Sequence, residues 1–175
     1  MSTPNTAIRL IEPGDAEALA AHQARDREAF ARWEPARPAA FFTSDGQRQR
    51  IEEQLEDYRR RNRWPGVVLA GGDVIGQVTV STILGEPFRK GFLGYWIAST
   101  HQGRGHASRA VGLTLRLMAE QLRLHRAEAH TQVENLPSHG VLRNNGFTSY
   151  GIAHGHIFIG GEWRDEIFWE RTLEP

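Results

Sequence analysis

The chain predicts a single α/β domain of the α+β mixed-sheet kind over residues 1–175, and three observations carry that reading. Its 175 residues are 39% hydrophobic, enough for one substantial core and too few for two. Its signals run strand, two helices, three strands, helix, strand, helix and closing hairpin, the order of a mixed sheet with helices packed on it. A glycine-relaxed loop, His101-Gln102-Gly103-Arg104-Gly105-His106-Ala107, joins a strand ending at Ile97 to a helix.

Ala7 to Ile11 alternates as a short strand, and Pro13-Gly14-Asp15 turns it into a helix with Asp15 as the expected cap. That helix should stop before Trp33-Glu34-Pro35, because Pro35 and Pro38 hold their predecessors extended. Ser44-Asp45-Gly46-Gln47 has capping-box spacing, after which Ile51, Leu55 and Tyr58 fall on one face of a second helix. Val67 to Ala70 and Val74 to Ser81 flank the hairpin signal Gly71-Gly72. The strand ending at Ile97 follows, then a long helix from about Ser108 to Leu122 and a strand from about Arg126 to Val133. Asn135-Leu136-Pro137-Ser138 opens a short helix that Gly146 should close in the left-handed conformation. Ile157-Phe158-Ile159 and Trp163 to Trp169 then flank Gly160-Gly161 as the last hairpin.

Twenty-one basic residues balance twenty-one acidic ones, so no global field points to nucleic acid or a membrane. The run Arg59-Arg60-Arg61-Asn62-Arg63 is locally basic and reads as a helix C-terminus, where cations meet the negative end of the dipole. The absence of cysteine excludes a disulfide scaffold, thiolate metal sites and a cysteine nucleophile. Met1 to Asn5 carries no basic patch leading into an apolar core and no segment approaches spanning length, so a cytoplasmic location is expected.

Glycines at 103 and 105 can take φ > 0 without a Cβ penalty, so successive N–H groups can converge on one anion at the positive end of the helix. The loop lacks the Gly-Lys-Ser/Thr ending of a nucleoside triphosphate loop. Ser108 stands where a dinucleotide fingerprint needs its third glycine. Gln-x-x-Gly-x-Ala, Gln102 to Ala107, instead resembles the pyrophosphate loop of the GCN5-related N-acetyltransferases (GNAT superfamily). Leu93 to Ile97, Leu124-His125-Arg126, Asn135-x-x-Ser138, Asn145-Gly146-Phe147 and Gly161 to Asp165 follow in that family's order, and with Trp33-Glu34-Pro35 they resemble its RimJ/RimL branch, the ribosomal-protein-alanine N-acetyltransferases. The resemblance covers nearly the whole chain. Two positions depart from the branch: Arg109 stands where an acidic residue is usual, and Asn144 where a basic one is.

The resemblance implies a mostly antiparallel sheet of about six to seven strands, splayed at the cofactor site and flanked by about four helices. It also implies acetyl-CoA as cofactor, with Trp96, Ile97 and Ala98 offering backbone to the pantetheine arm and Gln102, Gly103, Arg104, Gly105, His106 and Ala107 surrounding the pyrophosphate. By the same resemblance Asn135 would hydrogen-bond the arm, and Ser138 would approach the thioester sulfur as donor or relay. Asp165 coincides with the acidic residue of the family's Trp-x-Asp pattern and, with Ser138, is the expected catalytic pair, its carboxylate placed to bind or deprotonate the amine. Glu34 would receive an ammonium group between Trp33 and Trp163 as apolar walls, with Glu134 as another candidate base.

The implied activity is transfer of an acetyl group to a primary amine by direct attack on the thioester, the acceptor being a protein N-terminal α-amine. An α-amine of pKa roughly 7.7–8.0 is about 10–20% neutral near pH 7, whereas a lysine amine near 10.4 is roughly 0.04% neutral, so an N-terminus asks little of a base. Positioning and oxyanion stabilisation should therefore supply most of the rate. A small amine such as an antibiotic, polyamine or amino acid fits the same motifs, as does a non-catalytic acyl-CoA sensor. The oligomeric state, a homodimer included, stays open.

Spacing alone gives one further expectation. With Gly160-Gly161 as a two-residue loop, Ile159 faces Glu162, Phe158 faces Trp163 and His156 faces Asp165. His154 and His156 would share a strand face as metal ligands might, but no third ligand is evident and no metal is expected.

Overall fold

The computed structural model describes residues 5–173, so the reading of the first four residues as leader-free lies outside it. Strands β1 (Thr6–Leu10), β2 (Trp64–Ala70), β3 (Asp73–Leu84), β4 (Lys90–Ile97), β5 (Arg126–Gln132), β6 (Thr148–Ile159) and β7 (Glu162–Thr172) form one sheet in the order β1-β2-β3-β4-β5-β7-β6. Every neighbouring pair is antiparallel except β4 and β5. The helices are α1 (Ala16–Arg25), α2 (Arg27–Ala31), α3 (Ser44–Arg59), α4 (His106–Glu120) and α5 (Leu136–Asn144). No helix among the described residues is long and apolar enough to cross a membrane.

Strand periodicity divides the core into two layers. On one face Val68, Val78, Val80, Leu93 and Ile97 pack against Ala110, Val111, Leu115 and Met118 of α4 and Leu142 of α5. On the other, Val67 packs with Ile11, Ala16, Leu19 and Ile51 beneath α1 and α3. Val67 and Val68 are both fully buried, pointing to opposite faces as alternation requires. Their neighbours on each face fix the register, since a slip of one residue would turn each valine into the wrong layer.

Local expectations fail where tertiary contacts compete. Asp15 does not cap α1; its carboxylate accepts from Arg9 at 2.7 and 2.8 Å and from the Glu12 N–H at 2.8 Å, closing the preceding turn instead. The cap of α3 is Thr43, whose Oγ1 accepts from the Gly46 N–H at 3.1 Å, one residue before the expected serine. That helix buries Gln47, Ile51 and Gln54 and leaves Tyr58 38% exposed, so its inner face is rotated from the apolar stripe toward two amides. The arginine run behaves as expected at its start: α3 ends at Arg59, and Arg59 and Arg60 reach back to Glu56.

The first expected helix is two, broken at Asp26, which adds a fifth helix to the four expected. Asp26 is buried and accepts from the Ser99 N–H at 2.7 Å and the Ser99 hydroxyl at 2.6 Å. Its side chain thus pins the α1–α2 corner to the turn after β4. Burial by itself pushes this carboxyl up, but hydrogen bonds from Ser99 and Arg25 outweigh it and the pKa lies below the ordinary value. The contribution of the charged form to stability is present above the unfolded pKa of about 3.9 and is lost as pH falls through the lower folded value. Asp26→Ala is expected to cost about 2–4 kcal/mol at pH 7, measured by urea unfolding, and the difference from wild type should shrink below about pH 4.

Candidate active site

The β4–β5 ladder stops after three pairs, Lys90–Arg126, Gly91–Ala127 and Phe92–Glu128. Beyond them Leu93 to Ile97 and Ala129 to Gln132 diverge, so backbone groups turned into the gap have no strand partner. A cavity of about 750 Å³ occupies this split and is lined from both faces of the sheet. Ile97, Gln102, Gly103, Gly105, His106 and Ala107 form one end with Asn135 and Ser138; Phe30, Trp33, Glu34, His130, Gln132 and Glu166 form the other.

The loop end has the shape of an anion cradle. Gly103 and Gly105 have φ of 71° and 84°, and Gly105 is the N-cap of α4. A Cβ at Gly103 would meet nothing within 4 Å, so the space in front of the loop is open. His106 is buried, with its Nδ1 hydrogen-bonded to Thr6 Oγ1 at 2.8 Å. Gln102 lines the cavity and also donates from Nε2 to the Ile97 carbonyl at 2.7 Å, tying the loop to the strand end. Ala98 and Arg104 lie outside the cavity wall, Ala98 fully buried behind it and Arg104 exposed on the loop's outer side. Arg109 is exposed on α4 and likewise outside the wall, whereas Asn144 lines it.

Asn135 is the N-cap of α5 and accepts from the Ser138 N–H at 3.3 Å, as its pattern predicts. Gly146 closes the helix at φ 72°, with its N–H bonded to the Arg143 carbonyl and that of Phe147 to Leu142. Asn145 donates from Nδ2 to Ser108 and to the Val141 carbonyl, locking α5 to the first turn of α4. Ser138 Oγ lies 2.7 Å from the Tyr95 hydroxyl. Burial pushes that phenol up to about 12, against a weaker pull from Ser138, so it keeps its proton at neutral pH. Tyr95 escapes sequence reasoning because its partner is 43 residues away; its only local signal is sharing a strand face with Leu93 and Ile97.

Trp33 and Glu34 line the far end, joined by Phe30, whose ring stands edge-on to Trp96 at 5.5 Å. Gln132 donates to the Trp33 carbonyl at 3.1 Å and holds this segment over the split. Glu34 also meets Arg37 at 3.4 Å.

The last hairpin requires a correction. Ile159–Glu162 and Phe158–Trp163 pair as counted, but an irregularity between Ala153 and Ile157 shifts the register beyond them. His156 therefore meets Glu166 at 2.7 Å, and Asp165 pairs with His154 at 2.6 Å and accepts from the Gly155 N–H. Asp165 faces outward and is not part of the cavity wall; Glu166, one residue on, is. Trp163, expected as a wall of the acceptor groove, is 66% exposed at the hairpin end and packs on Phe158 instead. Glu134 is exposed and outside the wall. His130, His156 and Glu166 each bring a ligand atom within 4.8 Å of the others, a cluster that spacing did not foresee and a donor set that could hold a divalent ion. Burial lowers the His130 pKa, and its buried Nε2 has no hydrogen-bond partner among the described residues.

The sheet split thus forms one cavity with two chemically distinct ends, glycine amides at a helix N-terminus on one side and aromatic and acidic side chains on the other, and comparison with known proteins gives its class as an acyltransferase. The chain belongs to the acetyltransferase (GNAT) domain family, whose model matches residues 6–148, and is an N-acetyltransferase. It is 33% identical over 160 residues to the probable N-acetyltransferase YjcK of Bacillus subtilis, covering 90% of this chain and 88% of that one. The crystal structure of the ribosomal-protein-S5-alanine acetyltransferase from Vibrio fischeri superposes with a TM-score of 0.92 at 33% identity, covering 100% of this chain and 98% of that one. Mycobacterium smegmatis RimJ in complex with CoA-disulfide superposes with a TM-score of 0.92 at 26% identity, covering 95% and 81% respectively.

Proposed function

We propose that this protein transfers the acetyl group of acetyl-CoA to the α-amine of a protein N-terminus, and the observation that carries the proposal is the split of β4 from β5. The split joins the glycine loop on one face of the sheet to the Trp33-Glu34 segment on the other, so a donor and an acceptor can meet inside it. The open space before Gly103 and the positive φ of both glycines fit a diphosphate in the cradle. Kinship with the S5-alanine acetyltransferase from Vibrio fischeri supports the choice of an N-terminal acceptor.

When bound, acetyl-CoA supplies an activated thioester. The unpaired backbone of β4 would hold the arm and would offer N–H groups to the thioester carbonyl oxygen. The Tyr95 and Ser138 hydroxyls share one hydrogen bond; with Tyr95 as its donor, the Ser138 hydrogen would be free to serve the leaving sulfur. On the acceptor side Glu34 and Glu166 attract the ammonium group. Glu166, backed by His156, takes the amine proton; it replaces Asp165 in that role because the hairpin irregularity brings it to the wall. Trp33 and Phe30 exclude water.

Thiol release from acetyl-CoA tests this directly. Peptides beginning with a free alanine should turn over at least ten times faster than the same peptides with a blocked N-terminus and a free lysine. Tight coenzyme A binding without turnover of any amine would overturn the assignment in favour of a sensor.

A further inference from the structure

A second cavity of about 310 Å³ adjoins the first and shares Glu34, Gly94, Tyr95 and Trp96 with it. Its wall carries three arginines, Arg37, Arg50 and Arg63, against one carboxylate, Glu34. Arg37 is paired with Glu34 at 3.4 Å and Arg63 with Asp57 at 3.3 Å. Arg50 differs from both. It is partly buried, and among the described residues it forms no ion pair. Its partners are neutral: Nη1 donates to Gln77 Oε1 at 3.1 Å, the Gln54 amide oxygen comes within 2.8 and 3.0 Å when turned toward it, and Phe41 lies 5.5 Å from its carbon.

A guanidinium withdrawn from water without a direct ion pair is an expensive arrangement, because Glu34 and Glu53, beyond contact distance, offset its desolvation only in part. The surroundings keep the cost in place: Gln54, Gln77 and Phe41 fix the fork, and Arg37 and Arg63 add positive charge around it. A rigid fork with donors left over is suited to a planar carboxylate or to phosphate, which it can bind through two parallel hydrogen bonds. The second cavity opens beside Trp96 and Glu34, on the acceptor side of the split.

We infer that Arg50, with Arg37 and Arg63, forms an anion subsite for the acceptor, so that the amines this protein acetylates carry a carboxylate or phosphate group near the reacting nitrogen. This deepens the acetyl-transfer reading and rests on it for the word acceptor; the binding of an oxyanion at Arg50 does not. The ammonium group then sits toward Glu34 and Glu166 while the oxyanion sits against Arg50, and opposite charges at the two ends of the acceptor set its direction of entry.

Two measurements on the full chain test the subsite. In the thiol-release assay, C-terminally amidated Ala-Glu-Ala and Ala-phosphoserine-Ala are compared with amidated Ala-Gln-Ala, which carries no anion; wild type should favour one or both anionic peptides at least tenfold in kcat/KM, and the two arms separate carboxylate from phosphate. Arg50→Gln should collapse that ratio toward one, and Arg50→Lys should restore it only partly, because an ammonium cannot present the fork. The second measurement is Trp fluorescence during titration with inorganic phosphate and with acetate, which needs no turnover. Wild type should saturate with one of them and Arg50→Gln should weaken that binding at least tenfold, while its coenzyme A affinity and melting temperature report an intact fold. Equal use of the three peptides with no Arg50-dependent anion binding would overturn the inference. Absence of all turnover with Arg50-dependent binding intact would instead remove the transferase reading and leave the anion site standing.

Discussion

Gly105→Val should weaken coenzyme A binding about 100-fold or more in calorimetry while the protein remains folded. At φ 84° Gly105 occupies the left-handed region, which a β-branched side chain adopts only under strain. Relief of that strain would rotate the peptide planes of the loop and turn its N–H groups away from a common centre. Loss of two charge-assisted hydrogen bonds, at roughly 1.5 kcal/mol each, corresponds to about 100-fold in affinity. The loop is exposed and the αL position caps α4 from outside the core, so most of the effect should fall on binding. Unchanged affinity would remove the loop from the donor site.

Ser138→Ala should lower kcat about 100-fold and leave coenzyme A affinity within about threefold, the size expected for removal of one positioned donor. Tyr95→Phe should lower kcat as well, because it leaves Ser138 Oγ without the partner 2.7 Å away that fixes its hydrogen. The double variant should be little worse than Ser138→Ala alone, since the two hydroxyls act as one unit. Additive losses would show that Tyr95 acts on the reaction independently of Ser138, and an unaltered kcat in Ser138→Ala would reduce the serine to a residue of the first turn of α5.

Much of this arrangement is legible in the order of residues along the chain. The capping pattern at Asn135, the left-handed Gly146 and the glycine turns of the two hairpins follow from short-range rules and form as expected, whereas the register of the last hairpin holds only near its turn. Trp33 and Glu34 line the cavity, where an acceptor role for them is a proposal. Errors concentrate where a residue has a choice of partners. Asp15 has the composition of a cap, but an arginine six positions earlier offers a two-pronged ion pair and wins it. The inner face of α3 looks apolar in sequence, but Gln47 donates to the Phe41 carbonyl at 2.6 Å and Gln54 meets Gln77, so the amides are buried with partners in hand.

Short-range rules settle the class of fold, the glycine loop and the helix that follows it, because turns, caps and periodicity are decided within a few residues by backbone sterics and local hydrogen bonds. Long-range packing settles which side chains stand around the split and beside it: Tyr95 next to Ser138 and Glu166 rather than Asp165 at the split, and Arg50 among neutral groups in the adjoining cavity. Each of these depends on contact between segments distant in the chain, where one irregularity in a ladder changes the face a side chain presents, and no local pattern encodes that displacement.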